Sequence, residues 1–403
     1  MEGRAGESEG PRAGPVPLLR DVIEVLERIY PPASAADWDA VGLVCGDPEI
    51  RVRKILFAID PTLAVVEEAR DWGADLVVTH HPLLLRGVHG VPTTTAKGRV
   101  IHELVRDSTA LYVAHTNADV AAPGVSDALA RVIGLERLVP LVAESAPPTD
   151  KVVTFVPEDR VEAVVDAMAA AGAGGIGEYE RCAWLATGTG TFDAGPTTRP
   201  AVGEPGERTH TPEVRVEMRL PRQARAAVVA AARTAHPYEE PAIDVYELAP
   251  WSGPTGIGRV GTLSRAITLH ELVSIVAEAL PSTVQGIRAS GPEVGTVHRV
   301  AVCGGAGDSL LDAVRRSGAD AFVTADLRHH PALEAREEAA GPPWLVDVSH
   351  WASEWPWLAG CADRVVAALS TDHGAEHTTV EVRVSTTRTD PWTLHVPSRG
   401  GTA

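Results

Sequence analysis

Two adjacent histidines end a short apolar run, in the segment Ala74-Asp-Leu-Val-Val-Thr-His80-His81-Pro82. Residues 76–78 predict a buried strand, and Pro82 prevents the regular structure from continuing. Because adjacent residues of a strand point to opposite faces, both imidazoles must lie just beyond the strand, where the backbone can turn them inward. Open α/β sheets bind their ligands at the carboxyl ends of strands, so the pair predicts a metal site there.

Three more apolar runs end in the same kinds of side chain. These ends carry His115 with Asn117 and Asp119, Asp326 with His329 and His330, and His350 with Glu354. A helical turn after the last run would bring His350 and Glu354 onto one face. A single histidine of this kind could be a hydrogen-bonded loop residue, but four such strand ends favour one shared metal site.

Composition excludes several other classes of protein. The formal net charge of −18 argues against nonspecific nucleic-acid binding and against an anionic membrane surface as partner. The cysteines are widely separated and form no Cys-x-x-Cys pair, which disfavours a disulfide framework. The first residues are polar and glycine-rich, and no run approaches the roughly 20 apolar residues of a membrane span. The sequence therefore predicts a cytoplasmic protein without a secretory signal or membrane span.

The order of elements predicts an α/β metal-binding domain that is split by an insertion. Helix and strand patterns alternate in both halves of the chain, which predicts mostly parallel sheets. The middle region has a βα…βα…β pattern, typical of a ferredoxin-like α+β domain. We expect a disordered tail at 1–15, the two domain halves at 16–146 and 251–372 with a linker at 250–258, the inserted domain at 147–250, and a polar tail at 373–403 with a possible strand at 378–384.

The glycine-rich segment Gly304-Gly305-Ala-Gly307 follows a predicted strand and opens a helix. Backbone amides in such a segment could bind a phosphate or carboxylate. A tight structural turn is the other reading, because the segment lacks the Gly-Lys of a P-loop. The sequence leaves both readings open.

Two further polar groups have alternative roles. Asp60 ends the predicted strand at 55–59, and it could orient a metal-binding histidine or cap the next helix. His236, Glu239 and Glu240 could bind a metal ion, but the flanking prolines favour a turn.

The metal motifs together resemble a known family. They are Thr79-His80-His81-Pro82, His115-Thr-Asn-Ala-Asp119, Thr324-Ala-Asp326 and His350-Trp-Ala-Ser-Glu354. They resemble those of the dinuclear-metal-centre hexameric protein family, also called GTP cyclohydrolase I type 2-like, over about residues 16–370. Asp37-Trp-Asp39-Ala-Val-Gly42-Leu43 is similar to another segment of the family, with Ala40 where Asn is usual. The middle region resembles the insert of the longer members, which is similar to the PII and CutA proteins.

The resemblance implies two divalent ions per subunit and assembly into a toroidal homohexamer. It implies that His80 and His350 bind one ion, that His81 and Asp119 bind the other, and that Glu354 bridges both. Imidazole and carboxylate ligands suit Zn, Fe, Mn, Co or Ni better than Mg or Ca. The native metal stays open.

The family name implies a metal-dependent hydrolase that acts on GTP or a related nucleotide. Divalent ions lower the pKa of bound water toward ~7, which favours hydrolysis at neutral pH. His115, Asp326 and His330 are candidates for proton transfer or for orientation of the ligands. One alternative is a non-catalytic metal-binding assembly or metallochaperone, and another is a regulatory scaffold whose insert binds a partner.

Overall fold

The computed structural model describes residues 16–372 and 379–396. The predicted tail at 1–15 lies outside the described residues, as do both ends of the predicted tail at 373–403. The chain divides into two compact units, one combining the residues up to 144 with those from 254 onward, the other spanning 145–253. No helix in this described part of the chain is both long and apolar enough to cross a membrane.

Strands and helices alternate along most of the described chain. The strands are β1 (Gly42–Cys45), β2 (Lys54–Ala58), β3 (Leu76–Thr79), β4 (Ala110–Val113), β5 (Glu136–Ser145), β6 (Thr149–Val156), β7 (Ala183–Asp193), β8 (Arg208–Pro221), β9 (Ile243–Glu247), β10 (Ser252–Thr268), β11 (Arg288–Ser290), β12 (Thr296–Ala306), β13 (Ala321–Ala325), β14 (Trp344–Val348) and β15 (Glu381–Val384). The α-helices are α1 (Leu19–Ile29), α2 (Leu63–Trp72), α3 (Ala96–Arg106), α4 (Thr116–Val120), α5 (Val125–Val132), α6 (Val161–Ala170), α7 (Arg225–Ala235), α8 (Leu269–Ala279), α9 (Leu311–Ser317), α10 (His329–Ala339), α11 (His350–Glu354) and α12 (Trp357–Asp372).

The first sheet of the larger unit has the strand order β1-β4-β3-β2-β15. Strands β15, β2, β3 and β4 pair in parallel, whereas β1 pairs antiparallel with β4. Helices α2 and α3 connect successive parallel strands, as parallel pairing requires. The carboxyl ends of β2, β3 and β4 therefore lie at one edge of this sheet.

The second sheet has the order β11-β14-β13-β12-β10-β5. Strands β12, β13 and β14 pair in parallel and are connected by α9 and α10, while β10 and β11 pair antiparallel with their neighbours. The α/β prediction is confirmed. Parallel pairing dominates the first sheet, whereas the second sheet is mixed.

Both halves of the larger unit contribute to one apolar core. The core includes Val78 from the first sheet, Val302 and Val346 from the second, and Trp357 of α12. Arg259 of β10 is buried and pairs with Asp127 of α5 at 2.8 Å, which links the two halves of the chain. Burial of an ion pair favours this one arrangement, because an unpaired charge in the core would be costly.

Local sequence signals explain the helix that follows β2. The Thr62 side chain accepts a hydrogen bond from the Val65 backbone N–H at 3.4 Å, which caps the first turn of α2. Gly73 ends the helix with a φ of 75°, in the left-handed region that glycine tolerates best. Val65, Val66 and Ala69 face the core from this helix. The caps thus set both ends of α2.

The smaller unit is built from β6, α6, β7, β8, α7 and β9 in chain order. Its sheet has the order β7-β8-β6-β9, and the three strand pairs are antiparallel. Val164 and Met168 of α6 and Val228 and Ala232 of α7 pack in its own apolar core. Each helix thus contributes residues at a spacing of four, which lie on one helical face.

The predicted linker and the predicted polar tail both contain a strand. The predicted linker at 250–258 is wrong for most of its length, because β10 begins at Ser252. Its glycines permit close packing, since a Cβ at Gly256 would lie 2.2 Å from the Val142 carbonyl oxygen. The strand expected within the polar tail is present as β15, which pairs with β2.

Candidate metal centre

The ends of β3 and β4 of the first sheet and of β14 of the second sheet place four imidazoles close together. His80 and His81 follow β3, His115 follows β4, and His350 begins α11 directly after β14. The ring centroids of His80 and His81 are 5.1 Å apart, those of His80 and His115 are 5.1 Å apart, and those of His81 and His350 are also 5.1 Å apart. The structure thus brings together residues that are far apart in the sequence, since 270 positions separate His80 from His350.

Each of the four rings has an acceptor at Nδ1. The four acceptors are the Ala114 carbonyl for His80 at 2.9 Å, Asp60 for His81 at 2.7 Å, Asp39 for His115 at 2.8 Å and Asp326 for His350 at 2.7 Å. The Nδ1–H of a neutral ring donates to its acceptor, which leaves the Nε2 lone pair available to a metal ion. All four rings are therefore oriented as metal ligands commonly are.

Three of these Nε2 atoms lie around the Glu354 carboxylate. Glu354 Oε1 is 3.1 Å from His350 Nε2 and 3.5 Å from His80 Nε2, while Oε2 is 3.2 Å from His81 Nε2. The Nε2 atoms of His81 and His350 are only 3.2 Å apart. One carboxylate thus contacts three imidazoles, and each of its oxygens faces a different part of the cluster.

Asp119 lies on the His80 side of the cluster, with 3.7 Å between its Oδ1 and His80 Nε2. His81 lies beside His350, whereas Glu354 Oε1 contacts both His80 and His350. The grouping that the resemblance implies therefore stays a prediction. Glu354 contacts three of the four rings, a position from which one carboxylate could serve two ions.

His115 is closer to the metal ligands than its predicted role indicates. Its potential ligand atom lies within 4.8 Å of those of His80 and His81, and a second set of the same kind combines His81, His350 and Glu354. The sequence presented His115 as a candidate for proton transfer or orientation. The geometry adds direct metal binding to these possibilities.

The charges of the cluster are strongly coupled. Burial by itself raises the pKa of Glu354, but the surrounding imidazoles outweigh it and hold this pKa well below its ordinary value. Burial lowers the pKa of His350, yet Glu354 and Asp326 raise it to about 10. The pKa of His81 is raised well above its ordinary value in the same way. Burial raises the pKa of Asp119 to about 6.

Two buried atoms in the centre of the cluster have no hydrogen-bond partner. They are His80 Nε2 and Glu354 Oε2, and both face other ligand-type atoms. Buried polar atoms without partners are costly, so native proteins rarely leave them unsatisfied. A divalent ion would supply the positive charge and accept the lone pairs that these atoms offer. The donor set therefore fits a metal centre.

The glycine-rich segment after β12 packs against the helix that carries Glu354. The Gly305 N–H donates to Ser353 Oγ at 2.8 Å, and the Gly304 N–H donates to Ser126 Oγ at 3.3 Å. These amides are thus engaged by the protein, which favours the structural turn over the anion-binding loop. A Cβ at Gly305 would lie 2.4 Å from Glu354 Oε1, so glycine is needed for this close approach.

Asp60 and Asp326 act as acceptors for liganding rings. For Asp60 this favours the orienting role over a helix cap, since Thr62 provides the cap of α2. Asp326 adopts a φ of 56°, an uncommon conformation that aspartate tolerates better than most residues. It aims its carboxylate at His350, which supports orientation as its role.

The remaining predicted candidates make other contacts. His330 is exposed at the start of α10 and packs against the His329 ring. No contact recorded for residues 16–372 and 379–396 joins His330 to the four clustered rings. In the smaller unit, the His236 ring bonds the Phe155 carbonyl at 2.9 Å, and Glu239 accepts the Arg199 N–H at 3.1 Å. These contacts support a turn rather than a metal site there.

The sequence did not assign a role to Asp39 or to Thr389, although both connect to the liganding rings. Asp39 holds His115, and Thr389 donates to Asp60. Asp39 carried one signal, since it lies in the Asp37-Trp-Asp39 segment that resembles the family. Thr389 carried none, because it is one of several hydroxyl residues in a polar stretch.

Comparisons with known proteins identify the family of this chain. The chain matches the family model described as Duf34/NIF3 (NGG1p interacting factor 3) over residues 17–391. It is 50% identical to a Mycobacterium leprae protein named GTP cyclohydrolase 1 type 2 homolog, over 93% of this chain and 95% of that protein. A Streptomyces coelicolor protein of the same name is 38% identical, over 95% and 96% of the two chains.

Solved structures give the same result. A Bacillus cereus protein related to NIF3 superimposes with a TM-score of 0.70 at 34% identity, covering 94% of this chain and 100% of that one. The Staphylococcus aureus protein SA1388 superimposes with a TM-score of 0.77 at 27% identity, covering 94% and 99%. The resemblance carried by the sequence motifs is confirmed: the chain belongs to the DUF34/NIF3 family.

Proposed function

We propose that this protein binds two divalent metal ions and uses them to hydrolyse a small-molecule substrate. The observation that carries the proposal is the pair of buried, unpartnered atoms, His80 Nε2 and Glu354 Oε2, inside a cluster of imidazoles and carboxylates. Buried polar atoms without partners are costly, and a bound ion would satisfy both of these.

The proposal assigns the candidate ligands to two groups. His80, Asp119 and His115 would hold one ion, His81 and His350 would hold the other, and Glu354 would contact both. Imidazoles combined with carboxylates suit Zn, Fe, Mn, Co or Ni. Bound divalent ions supply Lewis acidity and promote the ionisation of water at neutral pH.

The chain's own residues orient the cluster and leave one side of it accessible. The side chains of His80 and Glu354 are 1% and 4% exposed, whereas those of His350 and Asp326 are 33% and 57% exposed. A substrate would therefore approach from the side of His350 and Asp326. A centre open to solvent on one side favours hydrolysis over a closed site for metal storage.

For the substrate, we propose GTP or a related nucleotide. The support is the name shared by the relatives, GTP cyclohydrolase 1 type 2 homolog. The reaction implied by this name is hydrolytic opening of the guanine ring with release of formate.

The test begins with metal content. Protein stripped by a chelator and reloaded with Zn, Mn, Fe, Co or Ni should bind two equivalents, measured by inductively coupled plasma mass spectrometry. Glu354→Gln should lose both ions because one carboxylate serves both groups. His102→Gln, which changes an exposed histidine of α3, should keep both.

The second part of the test measures turnover. Loaded protein is incubated with GTP, other nucleotides and phosphoesters, and formate and phosphate release are recorded. Activity that persists in the stripped protein or in Glu354→Gln would refute hydrolysis at this centre. Two bound ions without turnover of any substrate would favour the metal-storage alternative.

We also propose that residues 145–253 form an inserted ferredoxin-like module and that the chain assembles into a homohexamer. The βαββαβ order and the sheet order of the smaller unit support the first point. Large apolar side chains on this unit support the second, since Tyr179, Trp184 and Trp251 are mostly exposed. Light scattering coupled to gel filtration should give the mass of six chains, and a monomer at micromolar concentration would contradict the assembly.

A further inference from the structure

In the segment after β15, three hydroxyl groups face the rest of the larger unit. Ser385, Thr387 and Thr389 alternate with the exposed residues Thr386 and Arg388, as in an extended chain with one buried face. The Ser385 N–H donates to the Phe57 carbonyl at 2.8 Å, which continues the pairing of β15 with β2. The segment is thus a regular part of the fold up to the metal centre.

The first two hydroxyls attach the segment to a neighbouring helix. Ser385 Oγ and Thr387 Oγ1 both donate to Glu68 Oε2 of α2, at 2.6 and 2.7 Å. The Trp355 indole N–H, just after α11, donates to the Ser385 carbonyl at 3.1 Å. These contacts connect the segment with both halves of the larger unit.

The third hydroxyl reaches the metal ligands through one intermediate residue. Thr389 Oγ1 donates to Asp60 Oδ2, and the other oxygen of Asp60 accepts the His81 Nδ1–H at 2.7 Å. His81 Nε2 in turn lies 3.2 Å from Glu354 and 3.2 Å from His350. Thr389 thus holds one oxygen of the Asp60 carboxylate. The other oxygen of Asp60 holds the His81 ring.

The same arrangement occurs on the other side of the centre. Asp39 accepts the His115 Nδ1–H with one oxygen, and its other oxygen accepts hydrogen bonds from the Thr116 N–H and hydroxyl. Thr116 is the residue next to His115, so this arrangement is local. For His81 the equivalent threonine comes from the far end of the chain.

We propose that Thr389 is a positioning residue of the metal centre, which holds Asp60 so that His81 is fixed as a ligand before any ion binds. The inference rests on the proposed dinuclear centre and adds that the C-terminal segment determines the affinity of the His81 group. A carboxylate held at only one oxygen can rotate, and the ring that it orients then rotates with it. Loss of such supporting contacts typically lowers metal affinity by 10–100-fold.

The experiment compares three substitutions in the full-length protein. Thr389→Val removes the hydroxyl while keeping the shape of the side chain, and Thr389→Ser keeps the hydroxyl. Thr387→Val is the matched control, since it removes a hydroxyl from the same segment but contacts Glu68 instead of Asp60. Thermal unfolding of the metal-free proteins verifies that all three variants fold.

The readouts are Co²⁺ affinity, from competition with a chelator, and the visible absorption spectrum of bound Co²⁺. Thr389→Val should weaken one of two Co²⁺ equivalents about 10–100-fold and change its spectrum. Thr389→Ser should have the Co²⁺ affinity and the spectrum of the wild type. Thr387→Val should match the wild type in both measurements.

Two outcomes would overturn the inference while the dinuclear centre stands. One is unchanged binding of two ions by Thr389→Val, and the other is an equal loss in Thr387→Val, which would mean that only attachment of the segment matters. If the wild type binds no second ion, the proposed dinuclear centre fails and this inference fails with it.

Discussion

Substitution of Gly305 by alanine gives a direct test of the crowding around Glu354. The added Cβ would lie 2.4 Å from Glu354 Oε1 and 3.1 Å from His350 Nε2, where ordinary contacts begin at 3.4 Å. Glu354 would therefore have to move by about 1 Å. It is buried and faces three imidazoles, so this movement must disturb several ligand contacts at once.

The backbone contributes a separate cost that a control can isolate. Gly305 has a φ of 69°, and Gly318, at the end of α9, has a φ of 68° with no atom within 4 Å of an added Cβ. Alanine in this left-handed conformation costs about 1–2 kcal/mol in either place. Gly318→Ala should therefore carry the same backbone cost in the free energy of unfolding as Gly305→Ala. It should have no effect on the residues around Glu354.

The assays are urea unfolding of the metal-free proteins and competition titration with a chelator. Gly318→Ala should lose about 1–2 kcal/mol in the free energy of unfolding, and Gly305→Ala should lose more, because it also displaces Glu354. Only Gly305→Ala should bind ions more weakly, by about 10–100-fold, which corresponds to about 1.4–2.7 kcal/mol. Wild-type affinity in Gly305→Ala, with both ions retained, would refute the crowding argument. An equal loss of affinity in Gly318→Ala would refute it as well.

Two further predictions concern orientation and pH. Asp326→Asn should weaken the ion near His350 about 10–100-fold, because the ring loses its charged acceptor, whereas His330→Gln should retain full metal content by mass spectrometry. Asp150→Asn should destabilise the smaller unit at pH 7, because Arg225 holds the pKa of this buried carboxylate below its ordinary value of 3.8. That contribution is complete above the unfolded pKa and is lost as pH falls through the lower folded pKa, so urea unfolding of the two proteins should converge below about pH 4. A difference in unfolding free energy between the two proteins that persists in acid would contradict this role of the Asp150 carboxylate.

Most of the fold was predictable because its signals are local. The periodic apolar residues of α2, the Thr62 cap and Gly73 are all within a dozen residues of one another, and together they determine the helix. The error at residues 252–258 has a tertiary cause. Four residues of that segment are Gly or Pro, which usually indicate a loop, but here the glycines permit a strand to approach the Val142 backbone.

The candidate ligands were also predictable from local patterns, because each lies near the carboxyl end of a parallel strand. His80, His115 and His350 each follow a short apolar run, and the structure places all three in the cluster. The residues that orient them were harder to find. Asp39 and Thr389 act only through contacts with distant parts of the chain, and such contacts leave no periodic signal in the sequence.

The pairing of the ligands depends on strand order, which the sequence does not contain. β3 lies between β4 and β2 in the sheet. His80 turns toward β4, where the Ala114 carbonyl accepts its Nδ1–H, and the next residue, His81, turns toward β2, where Asp60 does the same. Two consecutive histidines are thus directed to opposite neighbours of β3, and His80 lies beside Asp119 whereas His81 lies beside His350. The order of these neighbours exists only in the assembled sheet, so the motifs alone do not determine which side chains each histidine meets.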